Sequence, residues 1–185
     1  MQVIVKTSCG TVEEYIAQEA HRSVRPPEQC PYCNKPHSLE HLGYYLRGCT
    51  DSTGKIREIS VIRFKCPIKK RTVSCLPDFA QPYRLVNNTT TEKFFNGDRE
   101  SAEVQRNRDT LRRYWRRFTG MATHLRQIAG CSLGRAPPKE PAAGLWRRIL
   151  AKYRTLAKAT RSLVNDFRTT CFGKYRCHSP AAQGA

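Results

Sequence analysis

Apolar and polar residues alternate along two stretches near the middle of the chain. Leu42, Tyr44 and Leu46 stand between polar neighbours, and Ile56, Val61, Ile62 and Phe64 supply a second β-branched and aromatic run at roughly period two. Asp51-Ser52-Thr53-Gly54 between them is a turn signal, so the pair predicts a twisted antiparallel hairpin. A third run over 71–76 closes into Pro77-Asp78-Phe79, and 2–6 predicts a short strand. Thr11-Val12-Glu13-Glu14 has the form of a capping box, with Thr11 as N-cap and Glu14 at the third helical position. It predicts a helix from Val12 to about His21, with Val12, Tyr15, Ile16 and Ala20 on one face, ended by Pro26-Pro27.

Past residue 98 the period changes to that of a helix. Val104, Leu111, Tyr114, Trp115 and Phe118 fall within roughly 100° of arc, with arginines over the rest. Thr119-Gly120 predicts a break, followed by a shorter helix over 121–129. The 99–134 unit therefore takes the form of a helix-turn-helix reader or of an αα-hairpin with a basic surface. Arg135-Ala-Pro-Pro-Lys-Glu-Pro141 is a linker signal. A helix over 145–169 follows, striped by Trp146, Ile149, Leu150, Tyr153, Leu156, Leu163, Val164 and Phe167, a pattern of core or of a partner-helix interface.

The expected organisation is a zinc-ribbon-like domain with an N-terminal strand and helix at 1–86, a connector at 87–98 and the basic helical pair at 99–134. A Pro-rich linker at 135–144, an amphipathic basic helix at 145–178 and a disordered tail at 179–185 complete it. The fold class is α+β: a small antiparallel β zinc ribbon preceded by a short strand and helix and followed by a basic helical C-terminal region.

Charge sharpens that division. The net charge is +18; residues 1–98 carry 14 Lys/Arg against 10 Asp/Glu, whereas 99–185 carry 19 against 5. Fifteen of those 19 are arginine, which suits bidentate phosphate contacts and base stacking. A polyanionic partner follows, with the C-terminal half as its footprint. The hydrophobic fraction of 39% predicts a thin core that a metal or a partner completes.

Nine cysteines without a charged-then-apolar leader point to reduced thiols and a metal site rather than a disulfide framework, and to a cytoplasmic location. No apolar run reaches the roughly 18 residues of a membrane span. Cys30-Pro31-Tyr32-Cys33 is a C-x-x-C knuckle, and Cys66-Pro67 opens a second at the end of the hairpin. A tetrahedral structural zinc takes four such ligands. The 32 residues between Cys33 and Cys66 exceed the commonest ribbon spacing of about 15–20, an excess that a long hairpin accounts for. A second C-x-x-C would need a cysteine where Lys69 stands. The fourth ligand is then His37, four residues beyond Cys33, or His41 at the start of the strand, with Cys75 behind both and a metal-free hairpin last. Cys9, Cys49 and Cys131 stand alone and suit small apolar positions, and Cys171, Cys177 and His178 lack a C-x-x-C partner.

No H-E-x-x-H, zinc-deaminase, P-loop or dinucleotide fingerprint is present, nor a carboxylate cluster for two-metal phosphoryl transfer. The expectation is a protein that binds and does not catalyse.

Five motifs share one further property. They are Val12-Glu13-Glu14-Tyr15, Cys30 to Cys33, His41-Leu42-Gly43-Tyr44-Tyr45-Leu46-Arg47, Arg57 to Pro67, and the closure from Arg71 to Tyr83 around Leu76-Pro77-Asp78-Phe79. Together they resemble a bacterial domain of unknown function with an N-terminal zinc ribbon, found in transposase-like proteins of mobile elements. The Tyr114-Trp115-Arg116-Arg117-Phe118 segment and the Tyr175-Arg176-Cys177-His178 ending are similar to such proteins as well. The resemblance implies a ribbon that helps a transposon-associated protein contact DNA, and it implies no activity.

These readings converge on a nucleic-acid-binding protein, with duplex DNA as the preferred partner. Lys65, Lys69, Lys70 and Arg71 would sit on phosphates, and Arg106, Arg112, Arg113, Arg116 and Arg117 in or across a groove. An RNA-binding or ribosome-associated role is the alternative. A third is an interaction module of a mobile element whose 145–169 helix packs on a transposase or on a second copy.

Overall fold

The structure, a computed structural model, describes residues 1–133 and 140–174. Its centre is a four-stranded sheet in the order β1-β4-β3-β2, with β1 at Gln2–Val5, β2 at Glu40–Thr50, β3 at Ile56–Lys65 and β4 at Thr72–Pro77. The hairpin β2/β3 runs in antiparallel register from Thr50↔Ile56 to Glu40↔Lys65, with a bulge between His41 and Gly43. β4 adds antiparallel to β3 through Ile62↔Cys75 and Phe64↔Val73, and β1 adds parallel to β4.

The hairpin turn is built by one carboxylate. Asp51 Oδ1 accepts from Thr53 N, Thr53 Oγ1 and Lys55 N at 2.7–2.9 Å, Arg57 Nε reaches Oδ2 at 3.0 Å, and Gly54 takes φ +77°. Burial works against the charged carboxyl, but the hydrogen bonds from Thr53, Arg57 and Lys55 outweigh it and hold Asp51 at about 2.

Each face of the sheet meets a different layer. Ile4, Ile59, Val61 and Leu76 pack with Val12 and Tyr15 of α1 (Val12–Ala17) and with Val164 of the last helix. Val3, Ile62, Phe64, Val73 and Cys75 pack with Cys30, Leu39 and Cys66. Leu42, Tyr44 and Leu46 of β2 belong to neither layer and are 42%, 41% and 61% exposed. β2 is an edge strand, and the segment carrying Cys30 and Leu39 seats over β1, β4 and β3. The alternation along β2 thus finds only partial cover, through Tyr45 and Cys49 on the opposite face.

Thr11 caps α1 as its sequence predicts, accepting from Glu14 N at 3.2 Å while Glu14 Oε2 accepts from Gly10 N at 2.9 Å. The helix stops at Ala17, short of His21, because Glu19 turns left-handed (φ 46°) into a 3-10 turn at Ala20–Ser23. Ile16 is consequently exposed.

The helical half departs further from expectation. The 87–98 stretch is no connector but contains α2 (Asn88–Phe95), because Asn87 serves as N-cap, accepting from Thr90 N at 2.7 Å. Asn87 Nδ2 also donates to Thr50 O at 2.8 Å, so the cap is tied to the sheet. α3 (Ala102–Arg106) is separated at Asn107 from α4, which runs unbroken over Arg108–Leu133. Thr119-Gly120 does not interrupt α4: a helical glycine costs about 1 kcal/mol, less than burying Phe118, Ala122 and Leu125 on either side returns. The helix-turn-helix expected in 99–134 is therefore absent from its described residues.

The helix predicted over 145–169 is two helices, α5 (Ala142–Tyr153) and α6 (Leu156–Phe167), followed by the small hairpin β5 (Thr169–Thr170) and β6 (Gly173–Lys174). Arg154 turns out of the helix at φ 68°, and Thr155 and Glu92 cap the new start through Lys158 N and Leu156 N. The bend lets both halves bury their stripe: Leu145, Trp146, Ile149, Leu156 and Leu163 join Phe94, Phe95, Tyr114, Phe118 and Phe172 in one aromatic core. The face that a partner helix would use is spent inside the chain. α6 also completes the sheet edge, since Asn165 Oδ1 accepts from Ile4 N (3.0 Å) and its Nδ2 donates to Ile4 O (2.9 Å). Part of the 135–144 linker and the 179–185 tail lie outside the described residues, as do Cys177 and His178. Among the described residues no helix is long and apolar enough to cross a membrane.

Candidate metal centre and basic surface

Two turns converge on the face of the sheet opposite α1. In the first, Cys30 O accepts from Cys33 N (3.2 Å) and Asn34 N (2.8 Å), folding Cys33 back beside Cys30. In the second, Cys66 follows the last residue of β3, and its sulfur accepts from Lys69 N at 3.3 Å. His37 completes the group. The ligand atoms of Cys30, Cys33, His37 and Cys66 all lie within 4.8 Å of one another. Cys33 Sγ is 3.6 Å from Cys66 Sγ, and Cys66 Sγ is 3.6 Å from His37 Nε2.

The imidazole is oriented for this. His37 Nδ1 lies 3.0 Å from Ser38 O; a carbonyl only accepts, so Nδ1 carries the proton and Nε2 presents its lone pair to the sulfurs. Burial opposes ionisation of Cys66, but the Lys69 N–H and the Cys30 and Cys33 thiols outweigh it and bring Cys66 down to about 7. Burial and the hydrogen bonds to Cys66 and Cys30 push Cys33 the other way, to about 11. Of the two thiols, the donors around Cys66 thus make it the one that ionises more readily. Three sulfurs and an imidazole can hold a metal ion.

Of the two histidines open as fourth ligand, the structure brings in His37 alone. His41 lies opposite Phe64 at the start of the bulge in β2, exposed, with its ring 5.3 Å from Tyr44 and 6.2 Å from Phe64. The bulge and the edge position keep it out of the cluster. Cys75 is fully buried among Val3, Ile62 and Val73, and burial pushes its thiol up to about 12. Cys49 is buried as a small apolar residue, and Cys9 is buried with its thiol donating to Gln18 Oε1 at 3.3 Å.

The basic residues singled out from the sequence form two groups. Lys69, Lys70 and Arg71 are exposed on the second turn and Lys65 is half-buried beside them; Arg71 lies 5.7 Å over the Tyr32 ring. Arg112, Arg113, Arg116 and Arg117 are exposed on α4, across the helix from the buried Leu111, Tyr114 and Phe118. Arg108, not singled out from the sequence, extends that face by one turn. Arg106 donates to Thr53 O at 2.8 Å, which fixes it beside the hairpin turn. That turn and the Cys66 knuckle sit at opposite ends of β3, about 30 Å apart at the rise of a strand. The structure therefore does not bring Arg106 and the knuckle lysines together into one patch.

Residues 30–114 match the model of one protein family, described as Domain of unknown function (DUF6431). The matched span begins on the first cluster cysteine, includes all four cluster residues, and ends within α4 at Tyr114. No curated protein and no solved structure matches the chain.

Proposed function

We propose that this chain is a non-catalytic nucleic-acid-binding protein, with duplex DNA as its preferred partner and a structural zinc ion as its staple. One observation carries the reading: α4 turns a continuous face of five exposed arginines, Arg108, Arg112, Arg113, Arg116 and Arg117, away from its buried stripe. A helix of that charge density is costly in a chain of net charge +18 unless a polyanion neutralises it. Arginine forks pair bidentately with phosphates, and such contacts set affinity and register without reading sequence.

The ligand distances support zinc. Metal–sulfur bonds of about 2.3 Å and metal–nitrogen bonds of about 2.0–2.1 Å put tetrahedral sulfurs about 3.8 Å apart and sulfur and nitrogen about 3.6 Å apart. The Cys33 Sγ–Cys66 Sγ and Cys66 Sγ–His37 Nε2 separations are both 3.6 Å. Four protein ligands leave no open position for water, which suits a structural site and not a hydrolytic one. The ion would join the turn that holds Cys30 to the end of β3, fastening the Cys30 segment onto a sheet face that, among the described residues, has no helix over it. Association with a mobile element is part of this proposal, and it rests on the motifs from Val12 to Tyr83.

The test is fluorescence anisotropy of labelled duplex DNA and folded RNA with nuclease-treated protein, from about 50 to 200 mM salt. Salt-steep binding that favours duplex DNA is expected. A preference for RNA replaces DNA with RNA as the partner, and no binding to either at low salt removes the nucleic-acid reading.

A further inference from the structure

Beside its outward arginines α4 carries a second device. A groove of about 240 Å³ opens between α2, the Arg99 loop and the first turns of α4. Its walls are Phe94, Phe95 and Trp115, its rim is Arg99, Arg112 and Arg116, and no acidic residue among the described residues lines it.

The three arginines differ in how firmly they are held. Arg99 is fixed: its guanidinium lies 4.0 Å over the Phe94 ring and donates to Phe94 O at 2.6 Å and Asp98 O at 2.7 Å. Arg112 pairs with Asp109 at 3.3 Å in an exposed contact that competing phosphate would displace. Arg116 makes no hydrogen bond or ion pair among the described residues. Arg112 and Arg116 stand one helical turn apart, with Trp115 on the same side of α4.

Trp115 is the element that a plain phosphate-binding surface does not need. Its ring meets Phe95 edge to face at 4.8 Å and 87°, and the residue is half-buried. The other tryptophan, Trp146, is 2% exposed and donates Nε1–H to Asn96 Oδ1 at 2.8 Å. Trp115 thus sits on the rim of the core, with Phe118 also 5.6 Å from its ring, and lines the groove, whereas Trp146 lies inside the core. An aromatic wall between guanidinium groups complements a base stacked by its π-face and flanked by phosphates. A paired base keeps that face inside the duplex, so the matching occupant is unpaired.

We infer that this groove is a subsite for an unpaired nucleotide of a single-stranded segment: Trp115 stacks the base, Arg112 and Arg116 hold its flanking phosphates, and Arg99, fixed on Phe94, closes the far rim. The inference rests on the nucleic-acid reading above and adds to it a place where the strands must be open.

The experiment uses the intact protein and a short labelled oligo(dT) beside a duplex of equal length, read by anisotropy and by tryptophan emission. Oligo(dT) is expected to quench the emission, and Trp115→Phe to change that quench because Trp146 is shielded. Inorganic phosphate is expected to leave the emission unchanged. Trp115→Ala is expected to weaken single-strand binding roughly 5- to 150-fold, the range for one stacked base. Arg116→Ala, at an exposed position that leaves the core untouched, is expected to flatten the single-strand salt slope by about 0.7. Anisotropy that rises with oligo(dT) while the emission stays constant and Arg116→Ala keeps the slope overturns the groove alone. Quenching by phosphate alone, or duplex binding without single-strand binding, also overturns the groove and leaves the wider reading standing. No anisotropy change with any nucleic acid overturns both.

Discussion

Asn34 and Lys70 hold the same place in two turns of one shape. Each follows a Cys-Pro pair, four residues after Cys30 and Cys66, and each is left-handed, at φ 51° and 53°. Both turns are closed by the same bond, from the cysteine N–H to the carbonyl five residues on: Cys30 to Lys35 at 3.2 Å and Cys66 to Arg71 at 2.9 Å. The second turn therefore keeps the form of a knuckle although Lys69 stands where the first has Cys33. Asparagine accepts that backbone region readily and lysine much less so, so the fold around Cys66 sustains a conformation the local sequence disfavours. The missing sulfur is replaced from the other turn, by His37.

Cys30→Ser is expected to lower both zinc content, measured by elemental analysis per chain, and the melting temperature. Cys75→Ser, equally buried, is expected to leave zinc content unchanged. Full zinc stoichiometry in Cys30→Ser would remove the site.

The equivalence of the two turns makes a rescue possible. His37→Ala is expected to weaken zinc binding by more than the roughly 10- to 100-fold typical of losing an outer-shell partner, and His41→Ala to leave it unchanged. Adding Lys69→Cys to His37→Ala should restore tight binding, because residue 69 occupies the position of Cys33. Competition with a chromophoric chelator reads all three; a double variant as weak as His37→Ala would show that the turns are not equivalent.

Arg112→Ala combined with Arg116→Ala is expected to weaken duplex binding and flatten its salt dependence by roughly 1–2 units of slope, about 0.9 for each lost phosphate contact. An unchanged slope would place α4 outside the interface.

Gly54→Ala should destabilise the fold by at least about 1–2 kcal/mol in urea melts, the cost of holding an L-residue left-handed. Its Cβ would also come within 2.8 Å of Glu103 Cα, and Asn107 Nδ2 already bonds Gly54 O at 3.0 Å. The turn and α3 should loosen together, which hydrogen exchange at Asp51–Lys55 and Ala102–Arg106 would read.

Asp51 titrates with a defined sign. Its carboxyl is held at about 2, below its usual 3.8, so its contribution is complete above about pH 4 and is lost as pH falls towards 2. The shift corresponds to about 2 kcal/mol. Asp51→Asn is expected to lower stability at neutral pH by that order and to flatten the acid limb between about pH 4 and 2; an unchanged acid limb would assign the loss to other carboxyls.

How much of this was legible in the sequence depends on whether the deciding interaction is local. Thr11 and Glu14 announce their helix start because a capping box is closed within four residues. The Asp51–Gly54 turn, the β2/β3 hairpin and the C-x-x-C knuckle are equally local, and three of the four cluster ligands follow from them. The choice of His37 over His41 was not legible, since it depends on a bulge in β2 and on which strand of the sheet lies at the edge. Nor was α2: Asn87 and the threonines after it suit a turn or a cap equally, and only Thr50 across the sheet, holding Asn87 from both its N–H and its side chain, decides for the cap.

The sequence by itself determined the four strands of the central sheet and their hairpin turn, the α+β class, the ligand types and the basic half, because each is set by neighbours a few residues apart. The tertiary structure alone decided that α4 is continuous through Gly120, that the 145–169 stripe folds back at Arg154 to fill the chain's own core, and that β1 joins β4 in parallel with Asn165 closing its edge. The physical reason for the first two is the same. Burying an aromatic core outweighs a helical glycine or a left-handed turn residue by kilocalories, and which surfaces are available to bury is a property of the assembled chain.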